Sequence, residues 1–497
     1  MENKVNLIID VEETPKKKYQ WFLFALQHVL GVLVGTITVP LIIPGMPVAA
    51  AMLSAGLGTL LYILITKKKS PVFLSSNFSF IAPISSALAI GGITNAMGQP
   101  GNYAALLVGM AFVGLVYLTV ALVVKFTGTA WIDKLLPTTV IGPTIMVIGL
   151  ALAGSAVNNL TTVITSDGPV YNLIAILCGL FSLFVTAFCA HYGEGKMIGL
   201  IPFVIGMLAG YLLAMVFTLI GYTACGNEYF KIIDFKPFID TFSAENIGIG
   251  SFFNYRMFVP NDKESFIFLR FEEIAQFNWS AIGTIALLFI PISVVGICEH
   301  IGDHKNLSNT IGRDLLGKEP GLTRTLIGDG VASAVSGEIC GISNTTYGQS
   351  IAIIGTTRVA STNVLILAAI IMVVSSFITP ITILLQTIPP CLTGGQALVL
   401  YGYISLSGMR VLLTSDIDFN KNKNIFIVSA ILVSGIGGFA LKFGDPLNPL
   451  IEISPIALAM ILGIILNVSL KDSKEDKELE KQLKEKPKDI PLDEHKD

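Results

Sequence analysis

Charged residues are scarce in this sequence. Only 13% of its 497 residues are charged, whereas a soluble globular protein carries about 25%. Hydrophobic residues make up 53% of the chain, and the mean hydropathy is +0.72. The apolar residues also come in runs of about 20, the length that crosses a bilayer. These features exclude an ordinary soluble domain and predict an all-α polytopic membrane protein.

Cysteine and histidine are scarce as well, with six and five residues. The cysteines are scattered, mostly inside apolar runs, and no CxxC pair occurs, which argues against a disulfide framework or a zinc site. The histidines are not spaced as metal ligands, and the sequence shows no nucleophile–base pair. We therefore predict that the protein is not an enzyme and has no metal, no cofactor and no nucleic-acid partner.

The apolar runs predict fourteen membrane spans, seven on each side of a long polar insertion. A polar segment at 1–20 precedes them, the insertion covers 221–278, and a charged tail follows at 471–497. No small-residue cleavage site follows the first run, so we interpret it as a retained helix. The predicted spans are 21–43, 48–65, 72–90, 103–124, 138–156, 171–191, 198–220, 279–297, 322–339, 347–355, 364–385, 390–412, 425–441 and 453–470.

Basic residues fall in every second join between these spans. The joins at 44–47, 91–102, 157–169 and 387–389 are nearly free of them. By the positive-inside rule, the basic joins and both termini are cytoplasmic, the insertion is extracellular, and the protein lies among the lipids of the plasma (inner) membrane. The basic joins contain Lys16, Lys17, Lys18, Lys67, Lys68, Lys69, Lys125, Lys134, Lys196, Arg313, Arg324, Arg358, Arg410, Lys421 and Lys423.

The two sets of seven spans predict an inverted repeat of 21–220 and 279–470. A unit with an odd number of spans inserts upside down relative to its copy. One pattern supports the duplication, because it occurs at the fifth span of each half: Pro137, Gly142 and Gly149 recur at the same spacing as Pro390, Gly395 and Gly402.

The third span of each half is too polar for a helix that faces lipid. Residues 71–80 read Pro-Val-Phe-Leu-Ser-Ser-Asn-Phe-Ser-Phe, and residues 342–350 read Ile-Ser-Asn-Thr-Thr-Tyr-Gly-Gln-Ser. Non-helical backbone at membrane depth survives only where it is buried in protein or lines a cavity. Broken spans at matching places in two inverted halves indicate the substrate site of a transporter. We predict short non-helical breaks in spans 3 and 10.

Glu299 stands out among the polar residues, because it follows the apolar run at 282–297. A carboxylate at membrane depth costs several kcal/mol and is seldom retained without a function. Asp303 lies one turn further on the same helix face, and His300 lies about 100° from Glu299. We predict that Glu299 is buried and functional. For Asp303 and His300 we expect the end of the helix, where water reaches them.

Polar groups from three spans form the predicted site. Glu299 would meet Asn77 and Phe78 of the first break and Gln349 and Ser350 of the second. A carboxylate accepts hydrogen bonds, an amide donates and accepts them, and an aromatic face stacks on a flat ring. This combination suits a planar heterocycle with N–H and C=O edges. The alternatives are helix capping for the amide of Gln349 and core packing for the ring of Phe78.

Two further polar residues lie inside apolar spans. Asp329, in the ninth span, is expected to bond to the backbone of the neighbouring broken element. His28, which follows Gln27 in the first span, is more typical of a satisfied hydrogen-bonding group than of a ligand.

The sequence resembles the nucleobase–ascorbate transporter family, the xanthine and uracil permeases, over about residues 21–470. The resemblance rests on the pair Gln27 and His28, on the helix of Glu299, and on the run from Asn-Thr-Thr-Tyr-Gly-Gln-Ser at 344–350 to Thr-Arg at 357–358. It implies a homodimer with fourteen spans in two inverted repeats. Spans 1–4 and 8–11 would form a core domain that carries substrate, and spans 5–7 and 12–14 a gate domain.

By position, the resemblance implies that Glu299 is the principal carboxylate that binds the base and Gln349 the second side chain that grips it. Phe78 matches a residue that contacts the ring, and Asn77, Gly348 and Ser350 complete the predicted contacts. The family carries Asn and Gly where this chain has Ser350 and Ala352. Members are typically proton symporters, with some sodium-coupled animal relatives. For proton coupling we predict Glu299 itself, supported by Asp303, His28 and Asp329, with Na+ as the alternative coupling ion.

The residues of the predicted site give two different indications of the substrate. The run Asn-Thr-Thr-Tyr-Gly resembles uracil permeases, but those carry Glu, His and Asn where this chain has Gln349, Asp303 and Asp329. These residues and the pair Asn77–Phe78 favour a xanthine- or urate-type purine. We predict proton-coupled uptake of such a purine, with uracil as the alternative substrate. An anion exchanger of the same architecture is a further alternative. It would need a positive group or paired helix N-termini at the midplane, and the absence of Lys and Arg near either break counts against it.

Overall fold

The computed structural model describes residues 7–90, 102–165, 168–193, 196–225, 227–243, 247–259, 265–415, 417–444 and 449–470. The predicted tail at 471–497, the first six residues of the N-terminal segment, and most of the join at 91–102 lie outside the described residues.

The first half of the chain is predominantly helical. Its elements are α1 (Lys18–Ile42), α2 (Val48–Ile65), β1 (Leu74–Ser76), α3 (Ile81–Leu88), α4 (Tyr103–Thr127), α5 (Ala130–Leu135), α6 (Thr138–Ala151), α7 (Ala153–Thr161), β2 (Thr162–Thr165), β3 (Gly168–Tyr171), α8 (Leu173–Tyr192), α9 (Met197–Leu200) and α10 (Pro202–Ile220).

The insertion is folded, as composition alone did not indicate, and contains α11 (Lys236–Phe242), α12 (Ile249–Phe252) and α13 (Phe271–Gln276). The second half contains α14 (Ile282–Ile311), α15 (Gly321–Glu338), β4 (Asn344–Thr346), α16 (Gly348–Thr357), α17 (Thr362–Ser376), α18 (Thr379–Gln386), α19 (Pro390–Leu413), α20 (Asn422–Ile436), β5 (Leu441–Gly444), β6 (Pro449–Ile453) and α21 (Pro455–Ser469).

Within the described residues, eight helical stretches are long and apolar enough to cross a membrane. Four shorter apolar helical stretches accompany them, at 78–88, 362–376, 422–436 and 455–469. The helix α15 is too polar to count among these, but it packs between α2 and α4 and is thereby kept from lipid. The protein is therefore a multi-pass membrane protein.

The helices pack in two groups. The first helix group contains α1, α2, α4, α14, α15 and α17, together with the short elements β1, α3, β4 and α16. The second helix group contains α6, α7, α8, α10, α19, α20 and α21. Contacts between the groups run mainly through α14 and α1, and a single hydrophobic core continues through both groups.

The two predicted breaks are present, and they pair with each other. Strand β1 runs antiparallel to β4, with Leu74 opposite Thr346 and Ser76 opposite Asn344. Each strand is buried and is followed by a short helical segment. Because the strands bond to each other, the backbone groups that leave the helical pattern are satisfied at membrane depth.

The helix α14 corrects one expectation. It does not end near residue 297 but continues to Ile311, where Gly312 adopts a left-handed conformation with φ 69°. Asp303 and His300 are 5% and 0% exposed, so the prediction that water reaches them is wrong. The physical reason is that this part of α14 is surrounded by other elements of the protein, which supply partners for its polar side chains.

The N-terminal residues 7–14 form a strap along the face that carries the basic joins, here called the basic face. Ile9 forms a parallel bridge with Val359, and the Thr362 amide donates to the Val11 carbonyl at 2.9 Å. Two ion pairs fasten the strap further, Asp10 to Arg313 at 2.5 Å and Glu12 to Lys69 at 2.6 Å.

Candidate functional site

The second break places the N-terminus of α16 inside the first helix group. The helix begins at Gly348, and a Cβ added there would meet no atom within 4 Å, so the position faces open space. Amide groups in the first turn of a helix have no partner within the helix, and they favour a hydrogen-bond acceptor or a negative charge. Gln349 lies in this first turn, and its Nε2 makes no hydrogen bond within the described residues.

The first break presents Asn77 and Phe78. The Asn77 side chain caps a short 3-10 turn, because its Oδ1 accepts from the Ser79 amide at 2.9 Å and from the Ser79 hydroxyl at 2.6 Å. Its Nδ2 has no partner among the residues described, and lies 3.5 Å from the place that a Cβ of Gly296 would occupy. Gly296 lies one turn before Glu299 on α14, so the first break and the acidic part of α14 are adjacent.

Glu299 is 9% exposed, and its Oε2 has no hydrogen-bond partner in the described part of the chain. It lies within electrostatic range of Asp303 and Asp329. The prediction that Glu299 is buried is confirmed. A buried carboxylate oxygen without a donor is unusual, since buried polar groups are normally bonded.

Other buried polar atoms around the breaks share this property. Within the described residues, no hydrogen bond is made by Gln27 Nε2, His28 Nδ1, Asn77 Nδ2, Glu299 Oε2, Tyr347 OH, Gln349 Nε2 and Tyr401 OH. They belong to α1, to the two breaks, to α14 and to α19. A polar ligand bound between these elements would supply the partners that the protein itself does not.

Tyr347 and Tyr401 belong to the candidate site, and sequence reasoning missed both. The ring of Tyr401 meets that of Phe78 edge-on, with centroids 5.4 Å apart. Tyr347 lies within electrostatic range of both Glu299 and Tyr401. Because Tyr401 is on α19, the site lies between the two helix groups. The sequence around Tyr401 is apolar and Gly-rich, so only the packing of α19 shows that this residue lies at the site.

Asp303 is fixed by the second break. The Thr346 hydroxyl donates to Asp303 Oδ2 at 2.8 Å, which ties β4 to α14. Sequence reasoning did not identify Thr346, since a threonine in a hydroxyl-rich run carries no signal of its own.

Asp329 requires a correction. Its Oδ2 lies 2.8 Å from Nδ1 of His300, and both side chains are fully buried. We expected Asp329 to bond to the backbone of the broken element. Its partner is instead His300, because the long helix α14 places this side chain against α15. The pair joins α14 to α15.

Two predicted site residues stand apart from the acids. The hydroxyl of Ser350 accepts from the Phe73 amide at 3.2 Å, and this bond ties α16 to the first break. His28 is buried on α1, and within the described chain it makes no hydrogen bond to Glu299, Asp303 or Asp329. The described residues also contain no group of three or more His, Cys, Asp or Glu side chains that could hold a metal ion.

A cavity of about 670 Å³ opens near the basic face, between the two helix groups. The C-terminal part of α14 lines it with Lys305 and Arg313, and the second group lines it with Thr138 and Thr414. Its lining on α14 begins at Lys305, two residues after Asp303, and continues away from the acids of the site towards the basic face.

Solved structures with a similar fold are anion transporters. The transmembrane domain of a cyanobacterium bicarbonate transporter, BicA, superposes with a TM-score of 0.57 at 15% identity, over 93% of this chain and 100% of that one. The murine solute carrier 26 family member A9 gives a TM-score of 0.57 at 10% identity, over 92% of this chain and 68% of that one. At such low identity these likenesses show the fold alone.

Sequence relatives are much closer. The uracil permease of Bacillus caldolyticus is 37% identical over 460 residues, which cover 92% of this chain and 93% of the relative. The uracil permease of Bacillus subtilis (strain 168) is 35% identical over 93% of this chain and 94% of its own. That of Escherichia coli (strain K12) is 32% identical over 92% of both chains.

The model of the Permease family that comprises xanthine and uracil permeases matches residues 19–444. These matches confirm the resemblance seen in the sequence, and the expectation that the protein is a transporter and not an enzyme. The chain belongs to the xanthine/uracil permease family, the nucleobase–ascorbate transporters.

Proposed function

We propose that the protein takes up a nucleobase together with a proton, and that it binds the base between Glu299 and the N-terminus of α16. The observation that carries this proposal is the set of unpaired buried atoms around the two breaks. The N–H edge of a base would donate to Glu299, and a ring carbonyl would accept from Gln349 and from amides at the start of α16. The ring of Phe78 would contact the flat face of the base.

Uracil is the substrate that the relatives support best, since three of them are named uracil permeases. A xanthine-type purine is the second candidate, because Gln349, Asp303 and Asp329 favour it. An anion substrate suits the site poorly, because Glu299 and Asp303 would repel it.

The two helix groups support the assignment of a core domain to the first group and a gate domain to the second. Fourteen spans in two inverted repeats, 21–220 and 279–470, are part of the same proposal. The antiparallel pairing of β1 with β4 and the direct packing of α6 against α19 support the repeat. The basic face would be cytoplasmic, with both termini on that side of the plasma membrane and the insertion outside. The homodimer stays a prediction.

Coupling would follow from the buried acids. A proton on Glu299, Asp303 or Asp329 removes a charge that is costly to bury, so a protonated acid and a bound base would favour each other. Movement of the first helix group past the second would then expose the site to the basic face through the cavity beside Lys305.

Uptake of labelled bases tests the proposal. Cells that lack their own permeases would express the protein and receive radiolabelled uracil or xanthine, with and without a protonophore. We expect saturable uptake that a protonophore abolishes. Inhibition by unlabelled uracil identifies a uracil permease, and inhibition by xanthine or urate identifies a purine permease. No saturable uptake of either base would show that the proposed function is wrong.

A further inference from the structure

A string of three buried polar side chains leads from the site towards the basic face. It consists of His304 on α14, Tyr62 on α2 and Ser70 in the turn after α2, all fully buried. These residues belong to the first helix group, and none of them lines the cavity between the groups.

Hydrogen bonding fixes the proton arrangement of His304. Its Nδ1 lies 2.8 Å from the His300 carbonyl oxygen of the same helix. A carbonyl can only accept, so Nδ1 carries a hydrogen and Nε2 of the neutral ring is an acceptor. The free electron pair on Nε2 is therefore the place where His304 can take up a proton.

Two hydroxyl groups meet this nitrogen. The Tyr62 hydroxyl lies 2.7 Å from His304 Nε2 and 2.9 Å from Ser70 Oγ, and Ser70 Oγ lies 3.3 Å from the same nitrogen. Ser70 directly follows the basic turn at 67–69. The string of three groups thus begins at His304 on α14 and ends at a buried serine next to the basic turn.

His304 is connected to the acids of the site through His300. The His300 ring stacks on His304 with centroids 4.1 Å apart, and its Nδ1 is bonded to Asp329. Asp329 and Asp303 lie within electrostatic range of Glu299, and Tyr117 of α4 faces Asp329 and Glu299 as a further titratable group.

We propose that His304, Tyr62 and Ser70 form a proton-release path inside the first helix group, separate from the route of the base between the groups. The inference rests on the proposed proton coupling. It assigns a task to three residues that lie outside the proposed base site.

Each step conserves protons. A protonated Asp329 first passes its proton to His300 Nδ1, so that the His300 ring carries hydrogens on both nitrogens. The ring then rotates, and its Nε2, which is not bonded to any residue described, passes its hydrogen to His304 Nε2. His300 returns to its neutral form, and His304 becomes an imidazolium while its Nδ1 stays bonded to the carbonyl. The Tyr62 oxygen takes the proton from Nε2 as its own hydroxyl hydrogen moves to Ser70 Oγ. Ser70 is fully buried, so its original hydrogen passes to a water molecule that enters beside the turn at 67–69 during the transport cycle, and one proton leaves the string for each one that enters.

The test compares two modes of transport in proteoliposomes that contain the full-length protein. Net uptake of uracil down a pH gradient, with a pH dye inside, requires the proton to leave. Exchange of labelled for unlabelled uracil at equal concentrations does not, since the carrier can return with base and proton bound. If wild-type uptake shows that xanthine is the substrate, xanthine replaces uracil.

Tyr62→Phe removes the hydroxyl, and His304→Gln retains hydrogen bonding without a titrating ring. For both variants we expect net uptake and internal acidification to fall at least about tenfold, while exchange stays within about twofold of wild type. Thr66→Val is the matched control, because the buried Thr66 hydroxyl bonds to carbonyls of α2 and lies outside the string. It should leave both modes unchanged.

Wild-type net uptake and acidification in both variants would overturn the path. An equal loss of exchange and net uptake in both variants would also overturn it, because it would indicate a structural role. Wild-type uptake that neither acidifies the interior nor responds to the pH gradient would refute the proposed proton coupling itself, and the path with it.

Discussion

The carboxyl group of Glu299 is the group on which proton coupling depends most directly. Glu299→Gln keeps the size of the side chain and removes its capacity to carry a proton. We expect proton-driven uptake to fall by about 100-fold or more, because the amide oxygen of Gln still accepts a hydrogen bond but the side chain can no longer bind and release the coupled proton. Glu338→Gln, at the exposed end of α15, is the control and should transport normally. Full activity of Glu299→Gln would end the coupling proposal.

The hydroxyl of Tyr401 offers a test of the site that leaves the fold intact. Because this buried group has no partner in the described chain, Tyr401→Phe should leave thermal stability unchanged. If the hydroxyl bonds to the base, the KM for uptake should rise about 5- to 10-fold. Tyr403→Phe changes a half-exposed ring on the same helix and serves as the control. An unchanged KM in Tyr401→Phe would remove this residue from the site.

At the scale of single residues, sequence reasoning found the polar groups that are conspicuous in apolar surroundings. Glu299, Asn77 and Gln349 are of this kind. Thr346 and Tyr401 could not be found, because their positions depend on which elements pack together far along the chain. The pairing of Asp329 with His300 was missed for a similar reason, since it depends on α14 extending past its apolar run.

The paired breaks are the element on which the site is built, and Asn344 holds them in place. Its Nδ2 donates to the Ser54 carbonyl at 3.2 Å, the Ser54 hydroxyl at 3.0 Å and the Ala332 carbonyl at 3.2 Å. Asn344→Ala removes these bonds and leaves a small void, so it should destabilise the protein by about 2–4 kcal/mol. Thermal unfolding in detergent measures this effect.

The control for Asn344→Ala is Thr356→Ala, because the exposed hydroxyl of Thr356 bonds only to a carbonyl of its own helix among the residues described. It should melt as wild type does. If Asn344→Ala melts at the wild-type temperature too, the breaks are held by their strand pairing and not by this side chain.

At the scale of elements, polar residues inside apolar runs were enough to predict both breaks from the sequence alone. The length of α14 was underestimated because Glu299, His300 and Asp303 are typical of a helix end that meets water. The hairpins β2–β3 and β5–β6 and the helices of the insertion carry no comparable periodic signal.

For the whole molecule, the N-terminal strap was the least expected feature, since residues 1–20 have the composition of a solvated segment. Val11 is 0% exposed, whereas Ile8 is 71% exposed. The Lys69 ammonium beside Glu12 also lowers the pKa of that carboxyl, so this ion pair is lost only as the pH falls below the usual range of a glutamate. Burial of Val11 and the backbone bonds contribute most, because exposed ion pairs are weak.

Val11→Asp should release the strap, because it places an unpaired charge in the core. We expect trypsin to cleave at Lys16, Lys17 or Lys18 several-fold faster than in wild type, and Ile8→Asp to leave the rate unchanged. Equal cleavage rates in wild type and Val11→Asp would show that the strap is not fastened by this side chain.

The strap is bonded to Val359, Thr362, Lys69 and Arg313, which all belong to the first helix group or its turns. If the two groups move as proposed, we expect the strap to travel with the first group. A fluorophore at Glu13 and a second at Thr414, beside the end of α19, would form a molecular ruler across the two groups. Single-molecule energy transfer between them would then follow the working cycle of the permease in real time, with no label inside the membrane.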